Sequence, residues 1–402
     1  MSDVAFVKSL LLTVPLWFLA ARTLPPRLPL VARIVVGLLA GWLVAAGITL
    51  LVPSGLMSYL VSFAVVGSIY AVIALGLNVQ WGYTGLFNIG VAAFFAVGAF
   101  TSALVTTTQP TGAAAAFTQQ AFGLGAPFLV GVLAAGVVAG SLALVVGGPT
   151  LRLRDDYLAI ATIGIAELVR LIFQNERWLA NGPQPLRGIP QPLACLVRDG
   201  GCAWLPAPLT NLFAPLAPRD YTYVYMLITA LFVIVTFLVL ERVIRSPWGR
   251  LLRAVREEED AAAMNGKDVA RTKLQAFVVG AVIMGMGGAL YAHYMVSIDY
   301  SHFDPLYATF LIWVMLMLGG SGNNRGAILG AFVIWGVWTG TAFVVDAIRP
   351  ALAAISPELP ARGPYLRLMF IALVLLFILL FRPRGLIGEE RFVSRDSEGR
   401  GS

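Results

Sequence analysis

The chain has 402 residues, 58% of them hydrophobic and 12% charged, with 28 basic side chains against 21 acidic and a net charge of +7. Soluble domains carry roughly a quarter charged residues, so this composition excludes an ordinary water-soluble fold and points to a chain housed in lipid. The two cysteines, Cys195 and Cys202, and two histidines distant from them do not complete a four-ligand zinc site, so no metal is expected.

Eleven apolar stretches are predicted, at about 4–20, 30–52, 57–77, 87–106, 126–148, 157–174, 221–241, 275–295, 306–318, 327–345 and 366–381. Most reach the roughly 17–25 residues that cross a bilayer as a helix. The 306–318 stretch is shorter and suits a half-span or re-entrant piece. No β-barrel alternation is present. The expected fold class is an all-α polytopic integral membrane protein: N-terminal spans over 1–56, a core over 57–381, and a polar tail over 382–402. The first stretch has one lysine and no small-residue cleavage site before Arg22, so it reads as a span and not a signal peptide.

Asn78 to Asn88 (NVQWGYTGLFN) is uncharged yet rich in polar groups and glycine between two apolar runs. A helix broken there frees backbone groups, which a membrane tolerates only against protein or a water-filled cavity. Asn78, Gln80, Tyr83 and Asn88 are therefore candidates to line a translocation route; a short cytoplasmic turn is the alternative. Thr106 to Pro127 reads as an uncharged external loop. Within 157–174, Glu167 and Arg170 are spaced i,i+3 and can neutralise each other on one helix face. They are read as a structural pair beside the pathway, against direct substrate contact or snorkelling at the outer interface.

Asn175 to Tyr221 is the one substantial outside loop, dense in Pro and Gly. Cys195 and Cys202 share it across an Asp-Gly-Gly turn, and a disulfide is one reading of the pair. Glu241 to Lys273 then holds eight basic and six acidic residues, which hydrocarbon cannot accommodate. Gly249 to Met264 is predicted as one short helix with Leu252, Val255 and Ala262 on one side and a stop at Gly266. Arg253 with Glu257 and Arg256 with Asp260 are at i,i+4 spacing; docking on a partner and a merely solvated loop both remain open. Asp299 and Asp304 fit a solvated turn. Placing 242–274 inside and alternating outward collects 19 of the 28 basic residues on that side, with the N-terminus outside and the C-terminus inside. The positive charge is thus a topology signal, and no nucleic-acid footprint is present.

The central segment, with Gly249, Arg250, Arg253, Arg256, Glu259, Ala261, Ala262 and Gly266, resembles the cytoplasmic loop of LivM-type permeases of bacterial branched-chain amino acid ABC importers. LNVQWGYTGLFNIGVAAFFAVGAF, YLAIATIGIAELVR, NGPQPLRGIP and LGGSGNNRGAILGA are similar to further motifs of that family, in order, although Pro185 and Arg325 depart from its usual residues. The resemblance implies an ABC-importer permease fold in the bacterial inner membrane, with the 246–273 loop as coupling helix. It implies a second LivH-type permease subunit, two cytoplasmic ATPases that bind ATP and Mg, and a periplasmic substrate-binding protein. No cofactor is expected in this chain, and no GxxxxGK[ST], HExxH, GxSxG or CxxC occurs, so it is not expected to be an enzyme. A urea or short-amide permease on the same scaffold is the alternative, followed by an ion-coupled secondary transporter.

Overall fold

The computed structural model describes residues 3–23, 30–112, 115, 118–198, 202, 206, 210–211, 213–356, 363–381 and 385–388. Each of the eleven apolar stretches falls on a helix. In chain order they are α1 (Asp3–Thr23), α2 (Leu30–Leu51), α3 (Ser54–Leu77), α4 (Val91–Thr106), α5 (Phe128–Thr150), α6 (Asp155–Asn175), α8 (Tyr221–Ile244), α11 (Val269–Met295), α12 (Pro305–Gly319), α13 (Asn324–Ile355) and α14 (Gly363–Phe381). Shorter helices α7 (Arg177–Ala180), α9 (Pro247–Glu257) and α10 (Glu259–Met264) lie between them. Among the described residues, strand structure is confined to one antiparallel pair, β1 (Leu186–Arg187) and β2 (Ser297–Ile298), with Leu186 opposite Ile298. The chain is an all-α polytopic membrane protein. Arg27 and the tail beyond 388 fall outside the described residues.

Three helices depart from their predicted bounds by four residues or more; one of them, α11, begins at Val269, six residues before the predicted start. α4 starts at Val91, because residues 83–90 enter without helical structure. α13 runs ten residues past the predicted end, through Asp346 and Pro350 to Ile355. Polarity marks where a helix leaves hydrocarbon, not where its backbone hydrogen bonds stop, and the apolar pattern could report only the first. α12 has 15 residues, about 22 Å of helix against roughly 30 Å of hydrocarbon, as its short apolar run predicted.

The core centres on the second half of α3 and on α11, buried along most of their lengths. Small residues bring backbones together there, since van der Waals packing replaces the hydrophobic drive between helices in lipid. A methyl placed on Gly98 of α4 would lie 2.1 Å from the Gly285 carbonyl oxygen of α11. One on Gly330 of α13 would lie 1.9 Å from the Met315 carbonyl oxygen of α12, so these two helices meet backbone to backbone after the Gly319–Asn324 turn. Leu133 and Val137 of α5, 66% and 67% exposed, face outward as a lipid-contacting helix requires.

The helices sort their connections to two ends. One end carries the β1–β2 pair and backbone bridges of Thr108 to Leu124 and of Gln120 to Ala180. An ion pair of 2.7 Å between Lys8 and Asp220 joins α1 to the start of α8 at that same end. The other end carries the 78–90 segment, the α9–α10 loop and the Gly319–Asn324 turn. Residues 385–388 return to it, with Leu386 N–H donating to Leu318 O at 2.8 Å.

Candidate functional site

Beyond Leu77 the third span widens into one π-helical turn, Asn78–Gly82, then turns and runs back extended to the start of α4. Asn78, Gln80 and Asn88 are fully buried and Tyr83 nearly so. Two of these amides, Asn78 and Gln80, join distant parts of the chain. Asn78 donates from Nδ2 to Asn324 Oδ1 at 3.0 Å, and its Oδ1 accepts the Gly322 N–H at 2.9 Å. Gln80 donates to the Phe277 carbonyl of α11 at 2.7 Å and accepts from Asn88 Nδ2 at 2.7 Å.

Backbone freed by the break is satisfied in the same way. The Asn88 side chain accepts the Gly90 N–H, Thr162 the Ile89 N–H and Thr309 the Ala92 N–H. Trp313 Nε1 donates to the Asn88 carbonyl. The predicted break is present, and its polar side chains are internal braces. Trp81 and Phe87, between these braces, are half-buried and meet Trp313 ring to ring at 5.0–5.2 Å. Their spacing of one residue from Gln80 and Asn88 was the available signal for them, and the polar reading passed over it.

The charged loop folds against this break. The single helix predicted over Gly249 to Met264 is two helices, α9 and α10, separated by Glu258 in extended conformation (φ −154°, ψ 101°). The interruption carries no Gly or Pro. It lets Leu252 pack into the main core while Val255, Ala262 and Val269 form a small cluster of their own. It also puts Asp260 on a different helix from Arg256, so i,i+4 spacing no longer sets them on one face.

Arg253 donates to the Ile244 carbonyl at 3.1 Å, and Arg256 donates from Nη1 to the Gly82 carbonyl. A methyl on Gly249 would sit 2.0 Å from the Ile244 carbonyl oxygen, so this fold-back needs glycine. Glu259 pairs with Lys273, and Gly266, at φ +71°, ends α10 as predicted. Arg250, Glu257, Glu258, Met264 and Lys267 point outward, Met264 with 88% of its surface exposed.

Glu167 and Arg170 pair as predicted, Arg170 Nε donating to Glu167 Oε2 at 2.9 Å. The guanidinium lies 5.7 Å from the Tyr300 ring, toward the opposite end from the charged loop. The structure therefore joins the 78–88 residues to the loop and leaves this pair apart. Cys195 and Cys202 are joined in a disulfide, with Cα atoms 5.0 Å apart. Asp299 accepts the Ser301 N–H and caps the turn Tyr300–Phe303.

The sequence offered no reading for His293. It is fully buried, with Nδ1 2.7 Å from the Pro190 carbonyl and Nε2 2.9 Å from Ser102 Oγ. A carbonyl only accepts, so Nδ1 carries the proton and Nε2 takes the serine hydroxyl. The imidazole thus ties the 175–220 loop to α4.

Residues 59–379 match the family model described as branched-chain amino acid transport system / permease component. This chain belongs to that permease family. The chain is 32% identical over 281 residues to the high-affinity branched-chain amino acid transport system permease protein LivM of Escherichia coli, covering 68% of this chain and 61% of the relative. It is 30% identical to the LivM of Salmonella typhimurium, over 81% of this chain and 69% of that protein. A probable branched-chain amino acid transport permease protein LivM of Methanocaldococcus jannaschii is 26% identical, over 81% and 92%. The chain thus spans about three fifths of the length of the Escherichia coli relative. No solved structure matches.

Proposed function

We propose that this chain is the permease subunit of an ATP-driven importer for branched-chain amino acids: leucine, isoleucine and valine. The observation that carries the reading is a charged loop fastened by Arg256 to the break in the third span, in a chain of this permease family. The loop end is assigned to the cytoplasm and the disulfide end to the outside, as the basic residues require. Lys8 at the disulfide end and Leu386 at the loop end favour an outer N-terminus and an inner C-terminus.

The proposed partners are a LivH-type permease, two ATPases carrying ATP and Mg, and a periplasmic binding protein. The outward surface of the loop, with Arg250, Glu257, Glu258 and exposed Met264, is proposed as the ATPase contact. The translocation route is proposed to run past Trp81 and Phe87, apolar and half-exposed, with Asn78, Gln80 and Asn88 bracing that wall from behind and Tyr83 closing its inner end. Glu167 and Arg170 would border the outer mouth. Uptake of labelled leucine, isoleucine and valine into vesicles tests the reading. The expected uptake requires the ATPase and binding-protein subunits together with internal ATP; uptake by this subunit alone, collapsing with an ion gradient, overturns it.

A further inference from the structure

Every carbonyl of the π-helical turn has a partner, and one partner comes from far away in the chain. Asn78 O accepts from Tyr83 N–H at 3.0 Å, Gln80 O from Leu86 N–H at 2.9 Å, and Trp81 O from Gly85 N–H at 2.9 Å. Val79 O accepts from Thr84 Oγ1 at 3.0 Å. The last carbonyl, Gly82 O, takes the guanidinium of Arg256, 174 residues away on the charged loop. We propose that Arg256 is a positioning residue that carries movement of the cytoplasmic loop into the broken third span, and is not itself an ATPase-docking residue. The proposal rests on the ATP-driven reading above.

Three observations support it. The Arg256 side chain turns toward the permease's own backbone, while Arg250, Glu257 and Met264 face water. Its stem also lies against Gly85: a methyl there would be 3.1 Å from Arg256 Cγ, and φ of +79° disfavours any side chain. Arg256 therefore holds the turn at two points, before and after Tyr83.

Gly82 is also the residue through which Arg256 meets the amide node. A methyl on it would fall 2.0 Å from Asn78 Oδ1 and 2.5 Å from Gly322 N. A displaced Gly82 must therefore displace Asn78 and the Gly322–Asn324 turn with it, and so the junction of α12 and α13. At this node Asn324 Nδ2 is buried with no hydrogen-bond partner among the described residues, a donor able to take a new acceptor when the node rearranges.

The test uses the complete complex in lipid nanodiscs, with Arg256→Ala and Arg256→Lys beside the wild type. Three quantities are read: ATPase co-purification, labelled leucine uptake, and hydrogen exchange across 78–90 with and without a non-hydrolysable ATP analogue. The expected Arg256→Ala complex keeps its ATPases and its exchange protection in 276–292, yet uptake falls at least tenfold. The nucleotide-dependent exchange change at 83–86 disappears. Lysine, which still donates to one carbonyl, restores part of both. Loss of the ATPases from Arg256→Ala would make Arg256 a docking residue and overturn the proposal, as would a nucleotide response kept with full uptake. Loss of protection in 276–292 that lysine does not repair would mean a folding role and also overturn it. A wild-type complex without ATP-dependent uptake brings down the importer reading, an outcome separable from the others because it needs no variant.

Discussion

The two ends of this permease are built on opposite plans. The disulfide end is cross-braced many times over: a two-stranded pair, a disulfide, the Lys8–Asp220 ion pair, Tyr221 OH donating to Pro192 O, and the His293 bridge from Pro190 to Ser102. These contacts join α1, α4, α8 and α11 to a single loop. At the other end the charged loop is attached by individual side chains from its two short helices, chiefly Arg253 to Ile244 O, Arg256 to Gly82 O and Glu259 to Lys273, beside Leu252 packed in the main core. The first plan resists displacement because losing one brace leaves the others. In the second, each contact holds a different point of the loop.

Four perturbations would sharpen or break that contrast. Reversing charge at both Arg253 and Arg256 should abolish transport-coupled ATP hydrolysis while the complex still inserts; normal coupling would show that the loop end is as redundantly held as the other. Asn78→Ala should come next. It strips the Gly322 N–H and Asn324 Oδ1 of a buried partner, each costing about 1–3 kcal/mol, and should lower the thermal midpoint of the detergent-solubilised protein markedly. Unchanged stability and transport would remove this amide from the node.

Replacing both cysteines by serine should cost less than the roughly 2 kcal/mol expected for so short a closed loop, with transport retained, because the strand pair and His293 hold the same segment. Complete loss of folding would mean the cross-bracing hangs on one bond. Asp299→Ala should have the smallest effect. It removes the cap on a single turn, about 1 kcal/mol, and a melting curve should scarcely move.

The spans were legible because lipid imposes one rule along the whole chain: long apolar runs become helices. The break at 78–88 was legible for the same reason, since its polar residues violated that rule. What stayed hidden depended on contacts between residues far apart in sequence. The 78–88 segment alone makes Asn78 and Asn88 candidates for the lining of a route; it does not show that Asn78 bonds to Asn324 or that Gln80, the partner of Asn88, is tied to Phe277. The interruption at Glu258 was hidden because burial of Leu252 and Ala262 in separate places, and not any local helix breaker, divides the loop. The tie from Arg256 to Gly82, 174 residues distant, could not be read from the loop itself.

The extended residue at Glu258 bears on how force travels. The 11 and 6 residues of α9 and α10 fall below the roughly 12–15 at which a helix holds its shape unaided, so stiffness along the loop comes from what each half rests on. A rod jointed in this way transmits tension and buckles under compression. A stroke that draws the loop away from the bilayer would arrive at Gly82 through a taut chain, whereas one that presses it inward would be absorbed at the joint. On that account the loop would pull better than it pushes, by virtue of one non-helical residue.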